Sequence, residues 1–138
     1  MTGILIVTHG GLGQSLLDTA EIILGKPSEN IMALAIDLTQ NVDLLHDKIA
    51  EALECLNAEP GVLVLTDMFG GTPSNLSYSF MEEGKIEVSA GVNLPMLVQA
   101  LNGRKKKPLP VLAAELEEFG KKSISLASNV LKGNKKST

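Results

Sequence analysis

The strongest limit on the fold is an alternation of two kinds of apolar block along the chain. Short runs at 4–7 (ILIV), 31–36 (IMALAI), 62–65 (VLVL) and 86–90 (IEVSA) have the length and branching of β-strands. The first and third contain no polar residue, as strands covered on both faces do. Between them lie stripes at helical spacing. Leu12, Leu16, Leu17, Ala20, Ile23 and Leu24 form the first, stopped by Gly25 and Pro27. Val42, Leu45, Ile49, Leu53 and Leu56 form the second, with Asn41 as N-cap. A third helix is predicted from Thr72-Pro73 to about Met81, with Gly84 after it. A fourth carries Leu94, Leu97, Val98 and Leu101 to Gly103, and a fifth carries Leu109, Leu112, Ala113, Leu116 and Phe119 to a stop at Gly120. The order βαβαβαβαα predicts a doubly wound α/β fold: a four-stranded parallel sheet, order 2-1-3-4, with helices on both faces.

The segment after Gly120 breaks that rhythm. KKSISLAS alternates polar and apolar residues, setting Ile124 and Leu126 on one face of a half-exposed edge strand guarded by two lysines. The competing reading is a continuation of the fifth helix. Residues 1–132 are expected to form one domain and 133–138 a flexible tail.

The ends of the first and third strands hold the chemistry. Residues 6–11 read IVTHGG and residues 65–75 read LTDMFGGTPSN, so His9 closes one strand and Asp67 the other. Ligands of doubly wound sheets bind beyond the carboxyl ends of the strands, where successive connections leave in opposite directions. Strands one and three are neighbours at that point, about 4.8 Å apart, so both side chains are expected to enter one crevice. A carboxylate accepting from Nδ1–H would leave the Nε2 lone pair of His9 free as a nucleophile. Gly10, Gly11 and Gly71, with Thr72 and Ser74 in the following helix turn, are the candidate phosphate-binding residues, because helix N-termini offer N–H groups and partial positive charge to an anion.

Several chemistries are disfavoured. Neither loop contains a lysine or arginine, no P-loop pattern occurs, and no cluster has metal-ligand spacing, so neither metal nor cofactor is expected. Aromatics at 3% leave little to stack on a flavin or on bases, and a net charge of −4 argues against nucleic acid as partner. The single Cys55 suits a reducing compartment, and the run 4–7 is too short for a signal or membrane segment, which points to the cytoplasm. His46 reads as a solvated bystander, Cys55 as a partly buried thiol, and 104–107 (RKKK) as a solvated turn. Met68 and Phe69 read equally as core residues or as an apolar rim where a partner docks. A hydrolase using Thr72 as nucleophile and a flavodoxin-like binding module are the rival readings.

Three stretches carry a family resemblance over essentially the whole chain. IVTHG at 6–10, TDMFGGTPSN at 66–75 and AGVNLPML at 90–97 resemble the IIA component of the mannose/fructose/sorbose class of the phosphoenolpyruvate-dependent sugar phosphotransferase system. The phosphocarrier subunit of dihydroxyacetone kinase systems is similar in fold but lacks the GGTPSN pattern. The resemblance implies a phosphotransferase in which His9 takes a phosphoryl group from HPr and passes it to a IIB component, serving the membrane IIC and IID components indirectly. It implies that Asp67 orients His9 and that Thr72 hydrogen-bonds the phosphoryl group. It further implies a homodimer exchanging an antiparallel edge strand, for which KKSISLAS is in the right place. No IIB sequence follows in this chain, so a separate acceptor polypeptide is expected.

Overall fold

A computed structural model describes residues 1–56 and 59–132. The elements are β1 (Gly3–His9), α1 (Leu12–Leu24), β2 (Ile31–Ile36), α2 (Val42–Leu56), β3 (Val62–Thr66), α3 (Thr72–Tyr78), β4 (Ile86–Ala90), α4 (Leu94–Gly103), α5 (Leu109–Lys122) and α6 (Ala127–Leu131). All neighbouring strands are parallel and the sheet order is β2-β1-β3-β4, as expected.

Alternation along β1 and β3 divides the core. Ile4, Ile6, Leu63 and Leu65 pack with Leu17 and Ala20 of α1, with Leu97 of α4 and with Leu112 and Leu116 of α5. Leu5, Val7, Val62 and Val64 face the other way, against Leu45, Ile49 and Leu53 of α2 and against Leu76 of α3. The connection from β1 therefore leaves to one face and that from β3 to the other, although these strands are direct neighbours. This opens a crevice at their carboxyl ends.

Several local expectations are corrected. α3 ends at Tyr78 rather than near Met81, because Ser79, Phe80 and Met81 donate to carbonyls three residues back and tighten the last turn. Gly120 does not stop α5. It is buried within the helix, where a Cβ would lie 3.3 Å from Met96 Sδ, so its role is close packing. Arg104 is not solvated: it is 3% exposed and donates to the carbonyls of Thr2 and Asn30 at 3.1 and 3.0 Å and to that of Glu29. It ties the end of α4 to the amino-terminal side of the sheet, opposite the crevice. Cys55 is exposed rather than partly buried, whereas His46 is exposed as expected, its ring stacked on Phe80 with centroids 4.4 Å apart.

The expected edge strand is also different in this single chain. Lys121 and Lys122 belong to α5, Ala127 and Ser128 to α6, and the residues between them join no ladder. Ile124 and Leu126 are exposed, and no residue of α6 is buried. The free edge of β4 meanwhile lines an open groove of about 730 Å³ that also borders Met96, Ala113, Ala114 and Gly120. The tail expected at 133–138 lies outside the described residues.

Candidate active site

β3 stops at Thr66, so Asp67 lies one residue past the strand it was expected to close, and the β1–β3 ladder ends at Val7 opposite Thr66. Beyond it the Asp67 side chain takes over as acceptor for β1. Its Oδ2 receives the backbone N–H of His9 at 2.9 Å and lies 2.8 Å from Nδ1 of the His9 ring. Its Oδ1 accepts the N–H of Met68 at 2.9 Å. The His9 side chain is 37% exposed and that of Asp67 10%, so the base is accessible while the carboxylate is sheltered.

Burial works against a charge on Asp67. The hydrogen bonds from the His9 backbone, the His9 ring and the Met68 backbone outweigh it and hold the carboxyl below its usual range. An ionised carboxylate can only accept, so Nδ1 carries the proton and the Nε2 lone pair is left free. Nε2 stands beside Gly71, the residue before α3: a Cβ there would come within 2.8 Å of His9 Cε1 and 3.5 Å of Nε2. Glycine is required by this approach of the ring, and Gly71 itself has an ordinary extended backbone. The N-cap glycines of α1 and α3 offer no capping side chain, and at α1 the Thr8 hydroxyl takes one first-turn amide, that of Gly13, whereas Asn93 caps α4 by accepting from Met96 N–H at 3.0 Å. An accessible imidazole nitrogen thus adjoins open helix-end amides, which suits transient attachment of an anionic group.

Residues 3–117 match the family model described as "PTS system fructose IIA component", EIIA-man, PTS being the phosphotransferase system. The chain belongs to this family. It is 32% identical over 132 residues to the PTS system fructose-specific EIIA component of Bacillus subtilis (strain 168), covering 95% of this chain and 90% of that protein. It is 38% identical over 126 residues to the PTS system mannose-specific EIIAB component of Escherichia coli (strain K12), covering 88% of this chain but 39% of that longer relative. Among solved structures, phosphotransferase system component EIIA from Streptococcus agalactiae superimposes with a TM-score of 0.82 at 26% identity, covering 94% of this chain and 99% of that one. The PTS IIA protein associated with the fucose utilization operon of Streptococcus pneumoniae gives 0.83 at 25% identity, covering 94% and 96%. Membership makes the protein a phosphoryl-handling component of a sugar phosphotransferase system.

In this EIIA chain the expected anion ligands separate into two groups. Gly11, Gly71 and Thr72 lie at the mouths of α1 and α3. Gly10 is placed there too, but its N–H donates to Ile36 O at 3.2 Å, so it offers space rather than a donor. Ser74 departs from expectation. Its side chain is fully buried, and its hydroxyl is engaged with Met68 O and Thr66 Oγ1, both at 2.5 Å. Met68 and Phe69 are exposed by 56% and 79%, which resolves the open choice in favour of a rim. Among the described residues, no helix is long and apolar enough to cross a membrane. Sequence reasoning missed two buried hydroxyls, Thr8 and Thr66, each placed immediately before a site residue. Thr8 Oγ1 accepts the N–H of Gly13 at 2.8 Å and so anchors the first turn of α1. The signal was present as the repeated order Thr-His and Thr-Asp at the two strand ends.

Proposed function

We propose that this protein carries a phosphoryl group on His9 Nε2, accepting it from phosphohistidine of HPr and passing it to a IIB component during sugar uptake. The carrying observation is the 2.8 Å contact between Nδ1 and an ionised Asp67, with the other ring nitrogen open to the α3 amides. Family membership supplies the context. Asp67 holds the reactive tautomer and stabilises the positive charge that grows on the ring as Nε2 attacks phosphorus. The transferring group then passes between two imidazoles through a loose in-line transition state, so the protein acts by positioning and by electrostatic support. Gly11 and Gly71 N–H groups and the Thr72 hydroxyl serve the phosphoryl oxygens. The absence of any lysine or arginine from residues 9–13 and 67–75 fits a carrier that must release its cargo.

The same reading places the protein in the cytoplasm, with HPr docking on the rim formed by Met68 and Phe69. It also assigns the exposed arm containing Ile124 and Leu126 to the β4 groove of a second copy, making a homodimer. Ile124 and Leu126 of the arm are exposed, and among the described residues the outer edge of β4 beside the groove is unpaired.

Incubation with phosphoenolpyruvate, enzyme I and HPr, followed by intact-mass and peptide analysis, tests the central step. One acid-labile phosphoryl group on the peptide containing His9 is expected, and none on His9→Ala, which keeps the wild-type circular dichroism spectrum. Phosphorylation of the alanine variant, or of another peptide in the wild type, overturns the assignment.

A further inference from the structure

The side chains of Thr66 and Ser74 are fully buried beside the crevice, and the phosphoryl chemistry described above makes no use of either hydroxyl. Their bonds have a definite direction. The Ser74 hydroxyl donates its one proton to the carbonyl of Met68 at 2.5 Å. It therefore has only lone pairs to offer Thr66, whose Oγ1 stands 2.5 Å away and must be the donor. Met68 is held on its other side as well, since its N–H donates to Asp67 Oδ1 at 2.9 Å. Asp67 Oδ2 in turn takes both His9 protons, from the backbone and from the ring. An unbroken series of hydrogen bonds runs from the inside of β3, through the first turn of α3, to the imidazole.

We propose that Thr66 and Ser74 are positioning residues for phosphoryl transfer, acting through the Met68 backbone to set the Asp67 carboxylate and hence the His9 tautomer. The proposal rests on the carrier reading for its rate effect, but not for its effect on the ring. Packing alone gives no reason for the hydroxyls. Val62 and Val64 share the face of β3 that Thr66 occupies, and valine would fill the same space at position 66. What a hydroxyl adds there is direction. The connection from β3 to α3 contains Gly70 and Gly71 and lies past the end of the ladder, so the backbone ladder does not hold Asp67 in place. With both polar groups of Met68 engaged, the backbone next to Asp67 cannot rotate without breaking a hydrogen bond.

The test uses the full chain with Ser74→Ala, Thr66→Val and, as the conservative control, Thr66→Ser. Nitrogen-15 spectra of the neutral His9 ring report the tautomer directly. The wild type and Thr66→Ser are expected to hold the proton on Nδ1. Ser74→Ala and Thr66→Val are expected to show a mixture with the Nε2–H form and a transfer rate from phospho-HPr lower by about 10–10²-fold, as small misplacements of a reacting group produce. If both variants keep the wild-type tautomer and rate, even with lower thermal stability, the hydroxyls are structural only and the proposal falls. Should Ser74→Ala fail to fold, the isosteric Thr66→Val decides alone. A wild type that accepts no phosphoryl group would refute the carrier function, while the tautomer comparison would still judge the positioning claim.

Discussion

The two corners of the crevice are built on one plan and held by different means. Each working residue follows a buried threonine at the carboxyl end of its strand, Thr8-His9 at β1 and Thr66-Asp67 at β3, and each leads into a helix whose N-cap is a glycine. In the first corner only Gly10 and Gly11 separate β1 from α1, and the ladder to β2 runs through His9 opposite Ile36, with Gly10 N–H adding a bond to Ile36 O. The backbone of His9 is thus set by main-chain pairing on the β2 side, with Asp67 as its side-chain partner on the other. In the second, residues 67–71 separate β3 from α3, and the ladder has already ended at Thr66. Asp67 is fixed by side-chain bonds, its own and those of Ser74. The difference teaches where tolerance lies. A corner held by backbone survives a side-chain change as geometry, whereas a corner held by side chains loses its geometry with them.

The largest effect expected from breaking the second corner is that of Asp67→Asn. One oxygen of Asp67 serves two N–H groups of His9 and the other serves Met68 N–H. An amide presents one acceptor and one donor, so either orientation turns an NH₂ toward an N–H that needs an acceptor. Phosphoryl transfer is expected to fall by about 10²–10⁴-fold, the range of lost acid–base and orienting groups, measured by single-turnover transfer from phospho-HPr. A rate within a few fold of wild type would show that the ring orients itself. The same carboxylate sharpens the comparison through acid. Its pKa is lower folded than unfolded, so its contribution to stability is complete at neutral pH and is lost as pH falls below about 4. Urea unfolding across that range should lose stability more steeply in the wild type than in Asp67→Asn.

A methyl group placed in each corner separates function from packing. In Gly71→Ala the new Cβ stands 2.8 Å from His9 Cε1, so the ring must turn away from the α3 amides. A misplacement of that kind lowers transfer by up to about 10²-fold. In Gly13→Ala the new Cβ meets Ile6 Cγ2 at 3.0 Å and Thr8 Oγ1 at 3.2 Å, and none of the atoms it approaches belongs to the site. That variant should lose about 1–3 kcal/mol of stability through overpacking and keep its rate per folded molecule. Equal rate losses in the two variants would mean that the corners are not independent.

What could be read from residues alone follows the same division. Four strands, their order and the meeting of His9 with Asp67 follow from apolar runs and from topology, because both residues lie at the carboxyl ends of neighbouring strands, where the connections part and open one crevice. Side-chain direction within the loops did not follow. Ser74 looks like an anion ligand in sequence, since a hydroxyl in a helix's first turn carries no mark of whether it faces the crevice or the core. Arg104 heads a run of lysines that remain at the surface or partly covered, and only the carbonyls gathered at the ends of β1 and β2 explain why it alone turns inward. The alternation in 121–128 is real, but a strand needs a partner edge, and the free edge of β4 is not paired with it in one chain.

Among the variants expected to slow transfer at all, the smallest change belongs to Thr8→Val, and it is the sharpest check on the contrast. Thr8 is the structural counterpart of Thr66: fully buried, one residue before the site residue, and bonded into the first turn of the next helix through Gly13 N–H. Valine fills the same space but leaves that N–H buried without its acceptor, which costs about 1–3 kcal/mol. The loss is one of stability, read by urea unfolding. Because His9 is still held by its ladder to β2 and by Asp67, the rate per folded molecule should fall less than in Ser74→Ala. A larger fall would show that the start of α1, and not the main chain of β1, sets the ring.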